Sequence, residues 1–420
     1  MTQISCGIDF GTSNSSIALA HAGAIHLVPV ENESVTIPSA LFYRRNDRHT
    51  YYGRKAVQLF LDREEGRFMR SLKRVLGTSI MKQGTFVNGT LMNFSTIIAT
   101  FLQQLKDKAE ANAGQSIEHV VLGRPVHFID NDPAGDAQAQ RELYAIAERI
   151  GFKHIEFQYE PIAAAFAHEV NLTEEKLALV VDLGGGTSDF TVIRLSPENR
   201  TKADRTSDIL ANTGVRVGGN DFDKDLSLSE IMPELGYKTT FGEKKLDVPL
   251  KPFHDLAEWS KVNFLYTPKM LMQTRQILGQ SQDPRRYQRL LKVLEQESGH
   301  TLLAAAEQAK IALTSSIEHE MPFDFLEKDF SIPIQRSQFE TAITEEMEKI
   351  SRAATACLQA AGVSAEAIDL VILTGGSTEV PLIQSEFRRL FPKASLADEN
   401  KLSSVGLGLA YDSRYKFSGL

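Results

Sequence analysis

LALVVDLGGGTSDFTVIRL, residues 177–195, reads as a buried strand, a glycine turn and an alternating strand. CGIDFGTSNSSIAL, residues 6–19, repeats the order: strand, Asp-x-Gly, Ser/Thr, strand. In both copies an aspartate ends the first strand, Asp9 and Asp182. One such hairpin would suit an ordinary turn, where Gly and Asp are common for conformational reasons. Two matching copies, each after an apolar strand, point to phosphate instead. A triphosphate needs several converging donors, and backbone N–H groups in a tight turn supply them without bulk. Glycines let the backbone come close, and Thr12, Ser13 and Thr187 add hydroxyl donors. Asp9 and Asp182 stand at strand ends, well placed to hold the waters around Mg²⁺, an ion that keeps few protein ligands beside substrate phosphates. The repeat suggests two domains of one design facing each other.

Outward from these turns, the chain alternates strands and helices, which argues for the α/β class. The spacing predicts three strands over 3–30, a helix over 93–112 with Ser95 near its start, a strand over 119–126 and a helix over roughly 136–150. Residues 226–320 lack strand alternation and read as helices broken near Gly299. Ser337 and Glu340 have capping-box spacing, and Ile343, Met347, Ile350, Ala354 and Leu358 behind them predict one long amphipathic helix ending at Gly362. IDLVILTGG, residues 368–376, is a last buried strand.

With 420 residues the chain is too long for one core. Its net charge of -8 disfavours nucleic acid and anionic lipid as partners. Arg70 to Arg74 (RSLKR) is the one local basic candidate. Two cysteines, Cys6 and Cys357, form neither a disulfide framework nor a metal cluster and suit a reducing compartment. No signal-type start and no apolar run of about 18 residues occurs, so a cytoplasmic, membrane-free protein is expected. Two weaker glycine turns follow strands: GVRVGGNDFD with Gly218 and Gly219, and ILTGGSTEVP with Gly375 and Gly376. Each can aim a helix N-terminus at an anion or a sugar. Neither a P-loop nor a dinucleotide-binding glycine motif is present.

Taken together, GIDFGTSNS at 7–15, LKRVLG at 72–77, YEPIAAAFA at 159–167, VDLGGGTSDF at 181–190, VGGNDFD at 217–223, EQAKIALTSS at 307–316 and LTGGSTEVP at 373–381 resemble the ATPase part of DnaK-like heat-shock chaperones, within the actin/hexokinase-type superfamily. The resemblance implies two ribonuclease-H-like α/β domains around a nucleotide cleft. They would span 1–176 and 177–396, with a remodelled helical sub-domain at about 226–320 and a helix in 397–420 returning to the first domain. It implies ATP or ADP with Mg²⁺ as ligands. Gly11, Thr12, Ser13 and Asn14 would form the first phosphate loop, and Gly184, Gly185, Gly186 and Thr187 the second. Asp9, Asp182 and, further out, Asp189 would organise the metal through water. Lys73 would be the catalytic lysine and Glu160 the residue that positions attacking water. Glu307, Lys310 and Thr314, spaced i, i+3, i+7 on one helix face, would clamp adenosine, and Gly219, Gly376 and Ser377 would line base and ribose.

The departures also carry information. Ile311 and Glu379 stand where the family has base-stacking arginines, which removes two cationic partners. Asn220 replaces a glutamate. Glu156 reverses the charge of the family's basic docking patch, which speaks against an ordinary J-domain partner. The family's β-rich peptide-binding domain has no counterpart in this sequence, so the expectation is a chaperone-like ATPase that signals to a protein partner by cleft motion. A nucleotide sensor with negligible turnover, a small-molecule kinase and an actin-like filament protein are the alternatives.

Overall fold

The computed structural model describes residues 4–129, 132–169, 172–199, 202, 204–397 and 403–417. A five-strand path is built twice. In the first half, β1 (Ser5–Phe10), β2 (Asn14–His21), β3 (Ala24–Leu27), β4 (His119–Arg124) and β5 (His154–Tyr159) lie in the order β5-β4-β1-β2-β3. In the second half, β6 (Lys176–Leu183), β7 (Ser188–Leu195), β8 (Ile209–Val215), β9 (Leu370–Thr374) and β10 (Ser395–Ala397) lie in the order β10-β9-β6-β7-β8. Each path pairs its first three strands antiparallel and its last two parallel to the centre. The central strands β1, β4, β6 and β9 are apolar on both faces, as strands covered by helices on both sides must be.

The helices repeat as well. α1 (Phe94–Ala113), α2 (Pro133–Arg149) and α3 (Glu160–Glu169) follow the third, fourth and fifth strands of the first half. An insertion after β8 carries α4 (Gly219–Leu226) and α5 (Gly299–Ser315), and then α6 (Thr344–Ala361), α7 (Pro381–Leu390) and α8 (Ser404–Lys416) take the places of α1 to α3. Asn93, not Ser95, caps α1, accepting from the Thr96 N–H, and Gly114 closes the helix at φ 70.

Two expectations are corrected. The capping box before α6 is made by Gln335 and Gln338, not by Ser337 and Glu340. The strand Ser331–Gln335 runs on to Gln335, so the extended residue that a cap requires falls there, and Ser337 lies inside the first turn. The predicted single helix is two, Arg336–Ala342 and α6, divided at Ile343. The break expected near Gly299 is found: the helix Pro284–Glu295 ends just before it and Gly299 opens α5.

Each half has its own core. Ile8, Phe10, Ile98, Phe101 and Leu122 centre the first, and Leu179, Phe190, Phe222, Leu302 and Leu373 the second. A third cluster belongs to both. Ile162, Ala163 and Phe166 of α3 join Val180, Ile193 and Ile372 of the second sheet and Val405 and Leu409 of α8. α8 lies on β1, β2 and β4 of the first sheet. A Cβ on Gly7 would stand 2.4 Å from the Ala410 nitrogen, and Ser5 Oγ bonds Ser413 Oγ at 2.8 Å. α3 and α8 touch where a Cβ on Gly408 would be 1.7 Å from the Ala163 carbonyl oxygen.

Candidate functional site

The turns after β1 and β6 meet face to face. A Cβ on Gly185 would be 2.4 Å from Ser13 Oγ. Ser39 holds the first turn: its Oγ donates to the Gly11 carbonyl at 2.7 Å and its N–H to the Ser13 carbonyl at 2.8 Å. That leaves its oxygen to accept from Ser15 Oγ at 2.8 Å. The second turn is closed by the Gly184 N–H on the Thr187 carbonyl, 2.9 Å, and is gripped from α4. Gly219 N–H donates to the Gly184 carbonyl at 3.0 Å and Asn220 N–H to the Gly185 carbonyl at 2.7 Å. Gly218 has to be glycine, since a Cβ there would be 2.6 Å from the Gly186 nitrogen. Gly375, at φ 86, brings the β9 turn against Asp182, whose Oδ1 would lie 2.9 Å from a Cβ.

Between the turns stands a lysine among carboxylates. Lys73, in the short helical turn Leu72–Val75, pairs with Glu160, the first residue of α3. Their side chains are only 10% and 11% exposed. Burial, reinforced by Glu160, pushes the Asp9 carboxyl up to about 7, against the pull of Lys73. Burial, then Asp189, Glu160 and Asp9, push Asp182 up to about 8. Burial works against the Lys73 ammonium, but Glu160, Asp9 and Asp182 outweigh it and raise its pKa. Asp189 faces Asp182 across the β6–β7 ladder, with Oδ1 beside Gly214. Four carboxylates thus act around one lysine, an excess of negative charge that suits a divalent cation. Among the described residues no three His, Cys, Asp or Glu side chains converge tightly enough to hold a bare metal ion. The donor set therefore fits a cation that brings its own waters and phosphate oxygens, as Mg²⁺ does.

The raised aspartates give a test in the metal-free protein. Asp182 takes up its proton more readily folded than unfolded. It therefore stabilises the fold below about pH 4, and that contribution is lost as pH rises through about 8. Asp182→Asn should raise Tm at about pH 9 and change it little at about pH 4. Equal changes at both would remove the carboxyl from this account.

Further along the cleft, Lys310 on α5 donates to the Gly219 carbonyl at 3.0 Å and pairs with Asp223 of α4 at 2.8 Å. Burial lifts Asp223 to about 6, with Lys310 opposing and Glu307 adding to the rise. Ser377 Oγ donates to the Gly184 carbonyl at 3.3 Å and would lie 2.6 Å from a Cβ on Gly219. Gly219, Lys310, Glu307, Gly376 and Ser377 are thereby gathered beside the second turn. Thr314 is one turn farther along α5, and its hydroxyl donates within its own helix to the Ile311 carbonyl at 2.7 Å. Ile311 itself is 52% exposed. Sequence reasoning missed Ser39 and Asp223. Asp223 lay inside the quoted glycine motif, while nothing local marks Ser39.

A family model described as Hsp70 protein matches residues 5–264 and 288–414. The chain belongs to the Hsp70 family. The match covers both sheets and the cleft between them, and the architecture is that of the actin-like, two-domain Hsp70 ATPase fold. Hsp70 proteins are ATP-binding, chaperone-related ATPases that bind ATP and ADP with Mg²⁺. The unmatched internal residues, 265–287, hold the helix Pro268–Leu278 of the insertion. Among the described residues no helix is long and apolar enough to cross a membrane.

Proposed function

We propose that this chain is a slow Mg²⁺-dependent ATPase whose cleft opens and closes to signal to a protein partner. The observation that carries the reading is the buried Lys73–Glu160 pair among Asp9, Asp182 and Asp189, beside two apposed glycine turns. Gly11 to Asn14 and Gly184 to Thr187 bind phosphate oxygens through N–H and hydroxyl groups. Asp9 and Asp182, with Asp189 behind them, would hold Mg²⁺ through its waters, and the ion would supply positive charge to the phosphates. Lys73 neutralises charge developing on the γ-phosphate, and Glu160 orients the attacking water in line. Glu307, Lys310, Thr314, Gly218, Gly219, Gly375, Gly376 and Ser377 form the nucleoside side. The reading keeps domains at 1–176 and 177–396, supported by two strand paths of which the second begins at Lys176, and two buried free thiols suit the cytoplasm.

Single-turnover hydrolysis, with nucleotide binding measured in parallel, is the test. Tight binding without turnover would make the chain a nucleotide sensor, a reading that the retained Asp9, Lys73, Glu160 and Asp182 argue against and that Ile311 and Glu379 leave open. Both positions lack the cation that would stack on adenine. Ile311→Arg combined with Glu379→Arg should tighten ATP binding by about tenfold, the worth of one or two cation–π contacts. Calorimetric titration with ATP and GTP checks this, and an unchanged Kd would place the base elsewhere.

A further inference from the structure

The last residue of α3 is a buried acid held from the other half. The Glu169 carboxylate takes both outer nitrogens of the Arg205 guanidinium, Oε2 accepting from Nη1 at 2.9 Å and Oε1 from Nη2 at 2.8 Å. Oε1 also accepts from the Ser196 N–H at 3.1 Å. Arg205 turns its remaining Nε–H to Asp208, whose other oxygen accepts from Asn199 Nδ2 at 2.9 Å. Ser196, Asn199, Arg205 and Asp208 all lie in the connection from β7 to β8 of the second half. The Arg205 side chain is 0% exposed and that of Glu169 1%. Among the described residues Arg205 is the largest side chain so buried. Its guanidinium also stands 5.9 Å from the Phe166 ring centroid, one turn back along α3. At the opposite end of the same helix is Glu160, nine residues or about 14 Å away. Its seat is narrow: a Cβ on Gly123 of β4 would stand 3.3 Å from Glu160 Cγ.

We propose that Arg205 is a positioning residue for ATP hydrolysis: by gripping Glu169 it fixes α3 along its axis, and so holds the Glu160 carboxylate where it meets Lys73 and orients water. The proposal rests on the ATPase reading of the cleft. A buried ion cluster adds little stability over apolar residues of the same volume, because desolvation offsets the attraction. What it adds is geometry. The apolar contacts of Ile162, Ala163 and Phe166 hold α3 in the third core cluster, but such contacts have no direction. A two-pronged guanidinium–carboxylate pair sets both distance and angle. A helix is stiff along its length, so a shift at Glu169 passes to Glu160. A displacement of about 1 Å at a reacting centre costs about 10²-fold in rate. Arg205 acts only through Glu169, so nucleotide affinity, which the two turns carry on the same reading, should not follow.

The experiment measures single-turnover hydrolysis of ATP with Mg²⁺ by the full chain, and the Kd for ATP beside it. Arg205→Met alone would strand Glu169 and Asp208 as buried unpaired charges and threaten the fold. The main variant therefore removes all three charges at near-constant shape: Glu169→Gln, Arg205→Met and Asp208→Asn together. It leaves acceptors for the Ser196 N–H and the Asn199 amide. It should fold with Tm within about 5 °C of the wild type. It should bind ATP within about twofold of the wild type and hydrolyse it about 10- to 100-fold more slowly. Arg205→Lys, which keeps the charge but not the fork, is the second variant. It should fold and hydrolyse at an intermediate rate with Kd unchanged. In a Glu160→Gln background, where the water-orienting carboxylate is already gone, the same changes should slow hydrolysis by less than about twofold. Wild-type turnover in either folded variant, or a loss that is undiminished in the Glu160→Gln background, overturns the positioning role and leaves the ATPase reading intact. A wild type that binds ATP without hydrolysing it overturns both.

Discussion

Lys73→Ala should abolish measurable ATP hydrolysis while the chain still binds ATP. Removing one preorganised charge from a water-poor site costs about 10²–10³ in rate, and turnover as slow as proposed leaves little rate to lose. Binding should survive because, on the proposed reading, the phosphates are held mainly by backbone donors of the two turns, which Ser39 and α4 keep in place without help from the lysine. The variant should also lose stability when empty. Glu160 would stay buried without its cation, in a cluster that already carries Asp9, Asp182 and Asp189. Added Mg²⁺ with ADP should recover part of that loss. Lys73→Arg is not a conservative control, because a planar fork does not fit where a compact ammonium points. If Lys73→Ala hydrolyses ATP at the wild-type rate in single turnover, the lysine is a structural ion-pair partner and the catalytic assignment falls.

Gly408→Ala should destabilise the chain by about 3 kcal/mol or more, or prevent folding. Overpacking in a core costs about 1–3 kcal/mol when side chains can yield, but here the added carbon would stand 1.7 Å from a backbone oxygen, that of Ala163. Relief requires α3 and α8 to move apart, and both are seated in the third core cluster. Glu160 opens α3, so a partly relaxed variant should also show a disturbed cleft. Gly279→Ala is the matched control, since its nearest neighbours would be 3.6 Å away; it should change Tm little. Thermal unfolding of the pair decides the matter, and equal Tm values would mean that the helices cross with more room than the backbone spacing indicates.

The parts of this molecule that are legible in its sequence are those where one local constraint sets one residue. The two Asp-Gly hairpins could be read because a tight turn between buried strands allows few residues, and the turns at Gly218 and Gly375 follow the same logic. Gly375 needs its positive φ and Gly218 the missing Cβ. The doubled strand order was only suggested by the repeat, since strands β4 and β9 return to the centre from far along the chain. Ser39 braces the first turn through a register that no local pattern encodes. The contact between Phe60 and Trp259, ring centroids 5.8 Å apart, was likewise invisible: both look like any half-buried aromatics until the halves are placed together. The break at Ile343 was missed because the apolar spacing runs through it unchanged, and the cap was misplaced because the strand before the helix runs on to Gln335.

The exchange of final helices has a consequence for how the chain can be divided. α8, made by the second half, covers β1, β2 and β4, and α3, made by the first, shares its apolar face with β6, β7 and β9. Severing the backbone between Glu169 and Lys176 would leave two fragments, each holding the lid of the other. Expressed singly, each should be insoluble; expressed together, they should reconstitute one particle, as a split reporter does. Recovery of either fragment alone as a stable monomer would show that the lid is dispensable. The pseudo-symmetric molecule thus behaves as an internal heterodimer whose subunits are joined by a peptide bond.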